Sequence, residues 1–311
     1  MSITPTTMED RDGWIWLDGQ WLPWREAKVH ALTHTLHYGL GCFEGLRAYA
    51  TPRGAAIFRL DDHVERLFES AHILGLEMPF DRDAVRQACR DAIRRNELAG
   101  GYIRPLVFLG AEKAGVDPLG AAVHVMVAAW AWGAYLGENG LERGIRVKVA
   151  SFARHHVNVQ MCRAKAVSTY TNSILACREA RQEGYDEALL LDTDGFVAEG
   201  PGENVFLVKR DVIYEPEITS ALDGITRRTL HTLAREAGYE IVARRITRDE
   251  LYIADEVFFT GTAAEITPVV EVDRRRVGSG QPGAITRELQ RRFFACVRGE
   301  DEHHADWLTL A

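Results

Sequence analysis

Residues 162–170 read Cys-Arg-Ala-Lys-Ala-Val-Ser-Thr-Tyr and place Lys165 between two alanines, just ahead of a helical pattern that begins near Tyr170. These neighbours predict a buried lysine at a strand-to-helix junction. Lysine is scarce in this chain, because only 5 of the 37 basic residues are lysine. Since arginine cannot form a Schiff base, Lys165 is a candidate for that chemistry. The alternative is a surface lysine whose stem lies along apolar neighbours.

A carboxylate with a matching role follows in residues 195–206, Gly-Phe-Val-Ala-Glu-Gly-Pro-Gly-Glu-Asn-Val-Phe. Glu199 stands at the end of an expected strand, immediately before a Gly-Pro-Gly turn. A carboxylate fixed there can hydrogen-bond a pyridinium nitrogen and so make the ring a better electron sink. A turn with a solvated glutamate is the other interpretation.

Two segments could bind an anion. Gly224-Ile-Thr-Arg opens an expected helix, where the N–H groups of Ile225 and Thr226 are unpaired and lie at the positive end of the helix dipole. Thr260-Gly-Thr-Ala-Ala-Glu follows an apolar strand and offers turn N–H groups with the hydroxyl of Thr262. Such residues also cap helices for structural reasons. A phosphate loop of the G-x-x-x-x-G-K-S/T type is absent, which argues against a nucleoside triphosphate.

Length and composition restrict the class of protein. A chain of 311 residues with 46% hydrophobic residues predicts two domains. The net charge of -8 offers no footprint for nucleic acid, and no apolar run is long enough for a membrane span. Five widely spaced cysteines without a C-x-x-C pair predict reduced thiols, so we expect a cytoplasmic protein. His30, His34 and His37 have helical spacing but no acidic or cysteine partner, and we expect no metal.

Hydrophobic periodicity predicts an α+β chain with two domains and any cleft between them. Residues 1–132 form the first domain, 133–144 a Gly-containing linker and 145–311 the second domain. The remaining predictions are a hairpin at Asp18-Gly19; helices over 61–74, 83–96, 170–181, 226–236 and 285–297; and strands over 102–109, 122–130, 145–152, 187–191, 204–208, 240–243 and 256–260. Thr247 and Glu250 form a capping box for a further short helix.

Taken together in order and spacing, these motifs resemble the branched-chain aminotransferases, which use pyridoxal 5'-phosphate (PLP) and have PLP fold type IV, the fold of D-amino acid aminotransferase. The resemblance runs from about Trp14 to the C-terminal helix. It is carried by residues 29–47 (Val-His-Ala-Leu-Thr-His-Thr-Leu-His-Tyr-Gly-Leu-Gly-Cys-Phe-Glu-Gly-Leu-Arg), Tyr102-Ile-Arg-Pro-Leu, Trp132-Gly-Ala-Tyr-Leu-Gly, Ala164-Lys-Ala, Glu199-Gly-Pro-Gly-Glu-Asn, Gly224-Ile-Thr-Arg and Gly261-Thr-Ala-Ala-Glu-Ile-Thr-Pro-Val. It implies a small N-terminal and a larger C-terminal domain with the cofactor between them.

The resemblance also implies a role for each cofactor residue. Lys165 would form the Schiff base with PLP and then carry the proton between the substrate's α carbon and the cofactor. Glu199 would meet the pyridine nitrogen and Tyr170 the phenolic oxygen. The phosphate would be held by Arg59, by the N–H groups of Ile225 and Thr226, and by Thr262.

Transamination of branched-chain amino acids with glutamate requires one pocket that accepts an apolar side chain and then a carboxylate. The resemblance implies an apolar wall of Tyr38, Phe43, Gly45, Trp132 and Tyr135, with Val116 reaching in from a second subunit. Tyr102 and the backbone of Thr262 and Ala263 would bind the α-carboxylate, and Arg104 the distal carboxylate of glutamate. For the aromatic residues, packing in the core is the alternative. The implied partners are small-molecule substrates (leucine, isoleucine, valine, their 2-oxo acids and glutamate/2-oxoglutarate) and further copies of the chain, as a homodimer or a higher homo-oligomer such as a hexamer.

One departure from the family pattern lies beside the lysine, where Val167-Ser168-Thr169 replaces the glycines of many relatives. We expect these side chains to narrow the space beside the cofactor. Three alternatives remain open on the sequence: a D-amino acid or (R)-amine transaminase, an aminodeoxychorismate lyase, or a non-catalytic protein that keeps the fold.

Overall fold

The computed structural model describes residues 7–133 and 135–311. They form two compact units, each with its own sheet and core. Unit 1 consists of the described residues through Trp132 together with Ala164–Ser168 and His304–Ala311. Unit 2 consists of the described residues of Gly133–Arg163 and Thr169–His303. The lysine segment and the C-terminal strand therefore belong to the first unit, although both lie beyond residue 145.

The elements of unit 1 are β1 (Trp14–Leu17), β2 (Gln20–Pro23), α1 (His34–Tyr38), β3 (Gly41–Phe43), β4 (Leu46–Thr51), β5 (Gly54–Phe58), α2 (Leu60–Ile73), α3 (Arg82–Arg95), β6 (Gly101–Leu109), β7 (Val123–Trp130) and β17 (Leu308–Leu310). Among the described residues its sheet has the order β17-β5-β4-β6-β7-β1-β2, with β3 paired to β6. Helices α2 and α3 bury Val64, Leu67, Ala71, Val85 and Ala92 in one core with the sheet residues Ile103, Val107, Val125 and Val127.

Local sequence explains the hairpin and the two helices of unit 1. Asp18 and Gly19 both have positive φ, 50° and 83°, as a two-residue turn between twisted strands requires. The predicted helices over 61–74 and 83–96 are confirmed as α2 and α3, each shifted by one residue toward the N-terminus. Asp81 caps α3 by accepting a hydrogen bond from the Ala84 N–H.

The elements of unit 2 are α4 (Glu138–Arg143), β8 (Ile145–Val149), α5 (Tyr170–Gln182), β9 (Glu187–Leu191), β10 (Val197–Glu199), β11 (Asn204–Lys209), β12 (Val212–Glu215), α6 (Ile225–Glu236), β13 (Ile241–Ala243), α7 (Arg248–Ile253), β14 (Glu256–Gly261), β15 (Glu265–Val272), β16 (Arg275–Arg276) and α8 (Ala284–Val297). Its sheet has the order β10-β9-β8-β15-β14-β11-β12-β13 within the described part of the chain, and β16 pairs with β15. The sheet is mixed, because β8 runs parallel to both β9 and β15 whereas β14 is antiparallel to β11 and β15. The segment 133–144, expected to be a linker, lies in this unit and contains α4.

In the described part of the chain, the helices fall short of the length and apolar character that crossing a membrane would require. All five cysteines are free thiols, and all except Cys177 are buried.

Candidate active site

Lys165 is held in unit 1 by backbone hydrogen bonds to two elements. Its N–H donates to the hydroxyl of Ser70 on α2 at 3.0 Å, and its carbonyl accepts from the N–H of Phe43 on β3 at 3.0 Å. The next residue, Ala166, forms a β-bridge with Cys42. The ammonium nitrogen lies 5.2 Å from the centre of the Phe43 ring. The lysine therefore sits on a braced backbone in a half-buried position, whereas its small neighbours predicted a buried one.

Behind this lysine lies a buried ion cluster of Glu44, His63 and Arg66. The Glu44 carboxylate is fully buried and accepts hydrogen bonds from His63 Nδ1 at 2.7 Å and from Arg66 Nε at 2.6 Å. Burial opposes ionisation of Glu44, but Arg66 and His63 outweigh it, so the pKa of this carboxyl lies well below its usual range. Burial lowers the pKa of His63, which Glu44 partly opposes, and the nearby Lys165 charge lowers it further. His63 is therefore a neutral donor to a charged carboxylate.

Arg59 precedes α2 in the left-handed backbone region, with φ 53°. Its N–H donates to the carbonyl of Trp307 at 2.7 Å, and its guanidinium lies over the Trp307 ring. The same guanidinium makes a bidentate ion pair with Asp62 at 2.6 and 3.0 Å. This cation is held in one orientation by its own unit.

Phe43, one residue of the predicted substrate wall, ends β3 and lies beside Tyr102 and Arg104 of β6, the two residues expected to bind carboxylates. Tyr102 is buried, and its ring packs at 5.2 Å from Trp130 and 4.7 Å from Trp132. Arg104 donates to the Tyr102 hydroxyl at 3.1 Å and lies over the Phe43 ring at 4.5 Å. Arg104 also lines a cavity of about 770 Å³ whose walls include Ile15, Trp24, Met126, Ala128 and Trp130. A cation thus lies among aromatic rings on this part of unit 1.

The position of the Tyr102 ring explains why residue 45 is a glycine. A Cβ atom at position 45 would lie 1.9 Å from the Tyr102 hydroxyl oxygen, so no side chain fits beside it. The other two wall residues of unit 1, Tyr38 and Val116, are both exposed. Tyr38 ends α1, and Val116 lies in the loop between β6 and β7. The three histidines near α1 do not share a helical face, because α1 begins at His34 and His30 precedes it.

In unit 2, Glu199 is buried at the end of β10 and has two polar neighbours. Arg154 Nε approaches one carboxylate oxygen to 2.6 Å as an ion pair, and the Leu222 N–H donates to the other at 3.0 Å. Arg154 itself is buried and lies near Asn172 and Ser173 of α5. The carboxylate is therefore held in one orientation between a cation and a backbone N–H group.

Both expected anion-binding segments lie beside that carboxylate in unit 2. No side chain caps the N-terminus of α6, which leaves the N–H groups of Ile225 and Thr226 to bind an anion. Gly224 is required there, because a Cβ would lie 2.0 Å from Asn204 Oδ1. Asn204 also donates to the Leu222 carbonyl at 2.8 Å and pairs with Thr260 across β11 and β14.

The pairing of Asn204 with Thr260 also determines the position of the second segment, the turn after β14. Since β14 ends at the edge where β11 begins, the turn containing Thr262 and Ala263 lies at the same edge as the start of α6. The hydroxyl of Thr260 is buried and has no hydrogen-bond partner among the described residues. The structure thus places five of the predicted residues near the end of the unit 2 sheet where β11 begins and β14 ends: Glu199, Ile225, Thr226, Thr262 and Ala263.

Tyr170 and Tyr135 complete the predicted set in unit 2. Tyr170 is half-buried as the first residue of α5. Tyr135 precedes α4, and burial raises its pKa, with further contributions from the charges of Glu203 and Glu187. A phenol with a raised pKa remains a hydrogen-bond donor at neutral pH.

The unusual residues after the lysine form a 3-10 turn, Val167–Thr169. Glycines face two of these side chains: a Cβ at Gly39 would lie 3.3 Å from Ser168 Cβ, and one at Gly41 would lie 3.5 Å from Val167 Cγ2. The absence of a side chain at these glycines leaves space for Val167 and Ser168. Sequence reasoning missed Ser70, Arg154 and the Glu44 cluster; for Glu44 alone a signal existed, its place in the Phe-Glu-Gly motif.

The comparisons with known proteins agree with one another. A family model described as amino-transferase class IV matches residues 41–272. The branched-chain-amino-acid aminotransferase of Pseudomonas aeruginosa is 56% identical over 304 residues, which make up 98% of this chain and 99% of the relative. The Escherichia coli protein of the same name is 45% identical, over 95% of this chain and 96% of its own. Among solved structures, a T.th. branched-chain amino acid aminotransferase with pyridoxamine 5'-phosphate is similar with a TM-score of 0.94 at 47% identity, covering 96% of this chain and 98% of that one.

Proposed function

The chain belongs to the class IV aminotransferase family, and we propose that it reversibly transfers the amino group between the branched-chain L-amino acids leucine, isoleucine and valine and 2-oxoglutarate. The observation that carries this substrate class is the 56% identity across 98% of the chain with an enzyme of that name. This similarity does not favour the D-amino acid and (R)-amine alternatives. PLP is the cofactor, in keeping with the related structure that contains its amino form.

The residues present fit this cofactor. The uncapped N-terminus of α6 and the turn after β14 supply N–H donors for a phosphate, and Arg59 supplies a cation. Glu199 supplies a charged acceptor for a protonated ring nitrogen, Tyr170 a donor for the phenolic oxygen, and Lys165 the amine that binds the aldehyde. The orphaned hydroxyl of Thr260 lies at the same sheet edge as the phosphate donors.

When bound, PLP provides a ring that withdraws the electron pair left at the α carbon of the substrate. Glu199 would accept a hydrogen bond from the protonated ring nitrogen, and its ion pair with Arg154 orients the carboxylate for that contact. Lys165 takes the proton from the α carbon at its amine nitrogen and returns it in the reverse step. The hydrogen bonds to Ser70 and Phe43 fix the backbone from which that amine works.

Substrate selection follows from the aromatic wall with Arg104. Tyr38, Phe43, Gly45, Trp132, Tyr135 and Val116 enclose the branched side chain, and Arg104 pairs with the distal carboxylate of glutamate. The α-carboxylate is bound by Tyr102 and by the backbone of Thr262 and Ala263. One pocket thereby serves both halves of the reaction.

Two features of the assembly are part of the proposal. We place Val116 in the pocket of a second subunit, so that the active form is at least a homodimer and extends to a hexamer if dimers associate further. We also place the enzyme in the cytoplasm, where its five free thiols would stay reduced.

The colour of the protein tests the reaction. We expect purified protein to be yellow, to change its absorption spectrum when L-glutamate is added, and to use L-leucine but not D-alanine or an (R)-amine as amino donor. Lys165→Ala should abolish the spectral change and reduce kcat by at least about 100-fold, because it removes the proton-transferring amine. A matched lysine variant, Lys209→Ala, changes a residue that is paired with Asp255 on the surface and should behave as wild type. A colourless wild type that takes up no added PLP, or preference for D-alanine, contradicts the proposal.

A further inference from the structure

The segment between β6 and β7, residues 110–122 and here called the tip loop, has an exposed tip on a closed base. Val116 is 88% exposed and Leu119 is 79% exposed. The base is closed by a backbone hydrogen bond from Gly110 to Ala122 at 2.9 Å. Two apolar side chains held out from the protein need a backbone that is fixed near the tip if they are to bind anything selectively.

Helix α1 provides that support at Gly115, the residue before Val116. The carbonyl of Gly115 accepts from His34 Nε2 at 2.8 Å, and its N–H donates to the Tyr38 hydroxyl at 3.1 Å. The backbone N–H of His34 also donates to the Gly110 carbonyl at 2.8 Å. Gly115 has a φ of 113°, a conformation that favours glycine. Both polar groups of one peptide residue are therefore bound by two side chains of a single helical turn.

His34 connects the parts of this arrangement. It is 1% exposed, and its ring packs 4.6 Å from the ring of Tyr38. The contact with a carbonyl requires a hydrogen on Nε2, while Nδ1 is buried and has no hydrogen-bond partner within the described residues. A buried histidine with one donor contact and one aromatic contact, both to substrate-pocket segments, is placed to fix those segments relative to each other.

We propose that His34 is a positioning residue for substrate side-chain recognition, which holds the tip loop and Tyr38 as one unit and thereby sets Val116. This inference rests on the proposed function, which assigns Tyr38 to the wall around the branched side chain and places Val116 in the pocket of a second subunit. The hydrogen bonds and the ring contact of His34 go to Gly110, Gly115 and Tyr38. Its loss therefore changes KM for branched-chain substrates much more than it changes kcat.

The test combines hydrogen–deuterium exchange of the holoenzyme with steady-state kinetics. We expect His34→Phe to accelerate exchange in peptides covering 110–122 and to raise KM for L-leucine, each by about tenfold, the usual effect of losing one hydrogen bond. The value of kcat should stay within about twofold. His34→Gln restores a donor near the position of Nε2 and should recover both readouts. His30→Phe is the matched control and should match wild type. It changes an exposed histidine whose ring accepts a local hydrogen bond from the Leu32 N–H at 3.1 Å.

The outcomes separate this inference from the proposed function. Wild-type exchange in the tip loop of a folded His34→Phe protein overturns it, and so does faster exchange without any rise in KM. If His34→Phe does not fold, His34→Asn replaces it, because the shorter amide does not reach the position of Nε2 and so removes the hydrogen bond to the Gly115 carbonyl; unchanged exchange in that variant overturns the inference as well. A wild type without branched-chain activity would instead refute the proposed function, and the exchange result would still decide whether His34 holds the loop.

Discussion

At Gly45 the predicted substrate wall leaves no room for a side chain. The Tyr102 ring cannot retreat from position 45 at low cost, because Trp130 and Trp132 pack against it at 5.2 and 4.7 Å. Since a Cβ would lie 1.9 Å from the Tyr102 hydroxyl oxygen, Gly45→Ala must displace the group that we assign to the substrate's α-carboxylate.

We expect Gly45→Ala to lower the free energy of unfolding by about 1–3 kcal/mol, the usual cost of overpacking, and to raise KM for every amino acid substrate. Urea denaturation and steady-state kinetics measure the two effects. Gly133→Ala is a suitable comparison, because apart from its chain neighbours no described residue has an atom within 4 Å of the added Cβ. A Gly45→Ala enzyme with wild-type KM would show that Tyr102 does not need its present position.

The sequence predicted the chemical groups of the site better than the residues that hold them. Lys165 and Glu199 were found because their neighbours, two alanines and a Gly-Pro-Gly turn, are local signals. Ser70 and Arg154 act on the same two residues from 95 and 45 positions away along the chain. Such pairs are created by tertiary packing, and neither serine nor arginine carries a local mark of its partner.

At the scale of elements, β3 and α2 share the buried cluster behind Lys165. Helix α2 presents His63, Arg66 and Ser70 on one face, because residues spaced by three and four lie side by side on a helix. The first two bind the Glu44 carboxylate, and Ser70 binds the lysine backbone. The packing of α2 on β3 therefore couples a charge cluster to the catalytic segment.

This cluster predicts that acid weakens the fold. The folded-state pKa of His63 lies below its ordinary value of 6.5, so the unfolded chain takes up a proton first as the pH falls. The contribution of His63 to the free energy of unfolding is therefore fully present above about pH 6.5 and is lost progressively below it. Glu44 acts in the same direction below its own ordinary value of 4.5, because its folded pKa is also lowered.

We expect His63→Gln to flatten the decline of the urea midpoint between about pH 7 and pH 5, since glutamine can donate to Glu44 but does not titrate. The control is His72→Gln, which changes an exposed histidine on the same helix and should keep the wild-type slope. An unchanged slope in His63→Gln would mean that other groups cause the acid sensitivity.

Prediction of whole elements worked where periodicity was clear and failed where a residue broke the pattern. The helices α2, α3, α5, α6 and α8 were placed within one residue at each end. Strand β15 was missed, because Pro268 lies within it and proline removes a donor from the ladder. The structure tolerates that proline because pairing of β15 with its parallel neighbour β8 starts one residue later, at Val269. Strands β3, β4 and β5 were also missed, and β3 has only three residues, too few for alternation to be recognised.

At the scale of the whole molecule, two segments from the second half of the chain belong to unit 1, Ala164–Ser168 and His304–Ala311. Strand β17 pairs with β5, and the lysine segment bridges to β3. A division into contiguous domains assigns both segments to the C-terminal half, because a sequence read in order gives no sign of pairings that distant. The consequence is chemical, since Lys165 is braced by β3 and α2 of unit 1, whereas Glu199 and the α6 N-terminus belong to unit 2.

The proposed homodimer makes a prediction that a self-contained subunit does not. If Val116 completes the pocket of a second subunit, a Lys165→Ala chain and a Val116→Asp chain have complementary defects. Val116 is 88% exposed, so the aspartate should not disturb folding. In the pocket, however, a branched side chain would have to displace water from the aspartate carboxylate, which should weaken substrate binding. In a hybrid dimer, one of the two sites contains an intact lysine from one chain and an intact valine from the other.

We therefore expect that the two variants, each nearly inactive alone with L-leucine, regain about a quarter of wild-type activity when they are mixed, dissociated and reassociated. Half of the randomly formed dimers are hybrids, and half of their sites are intact. Light scattering before and after mixing checks that dimers re-form, and a mixture kept undissociated is the control. If Val116 served the pocket of its own chain, every chain would carry one defect of its own, and the mixture would show no more than the average of its two components.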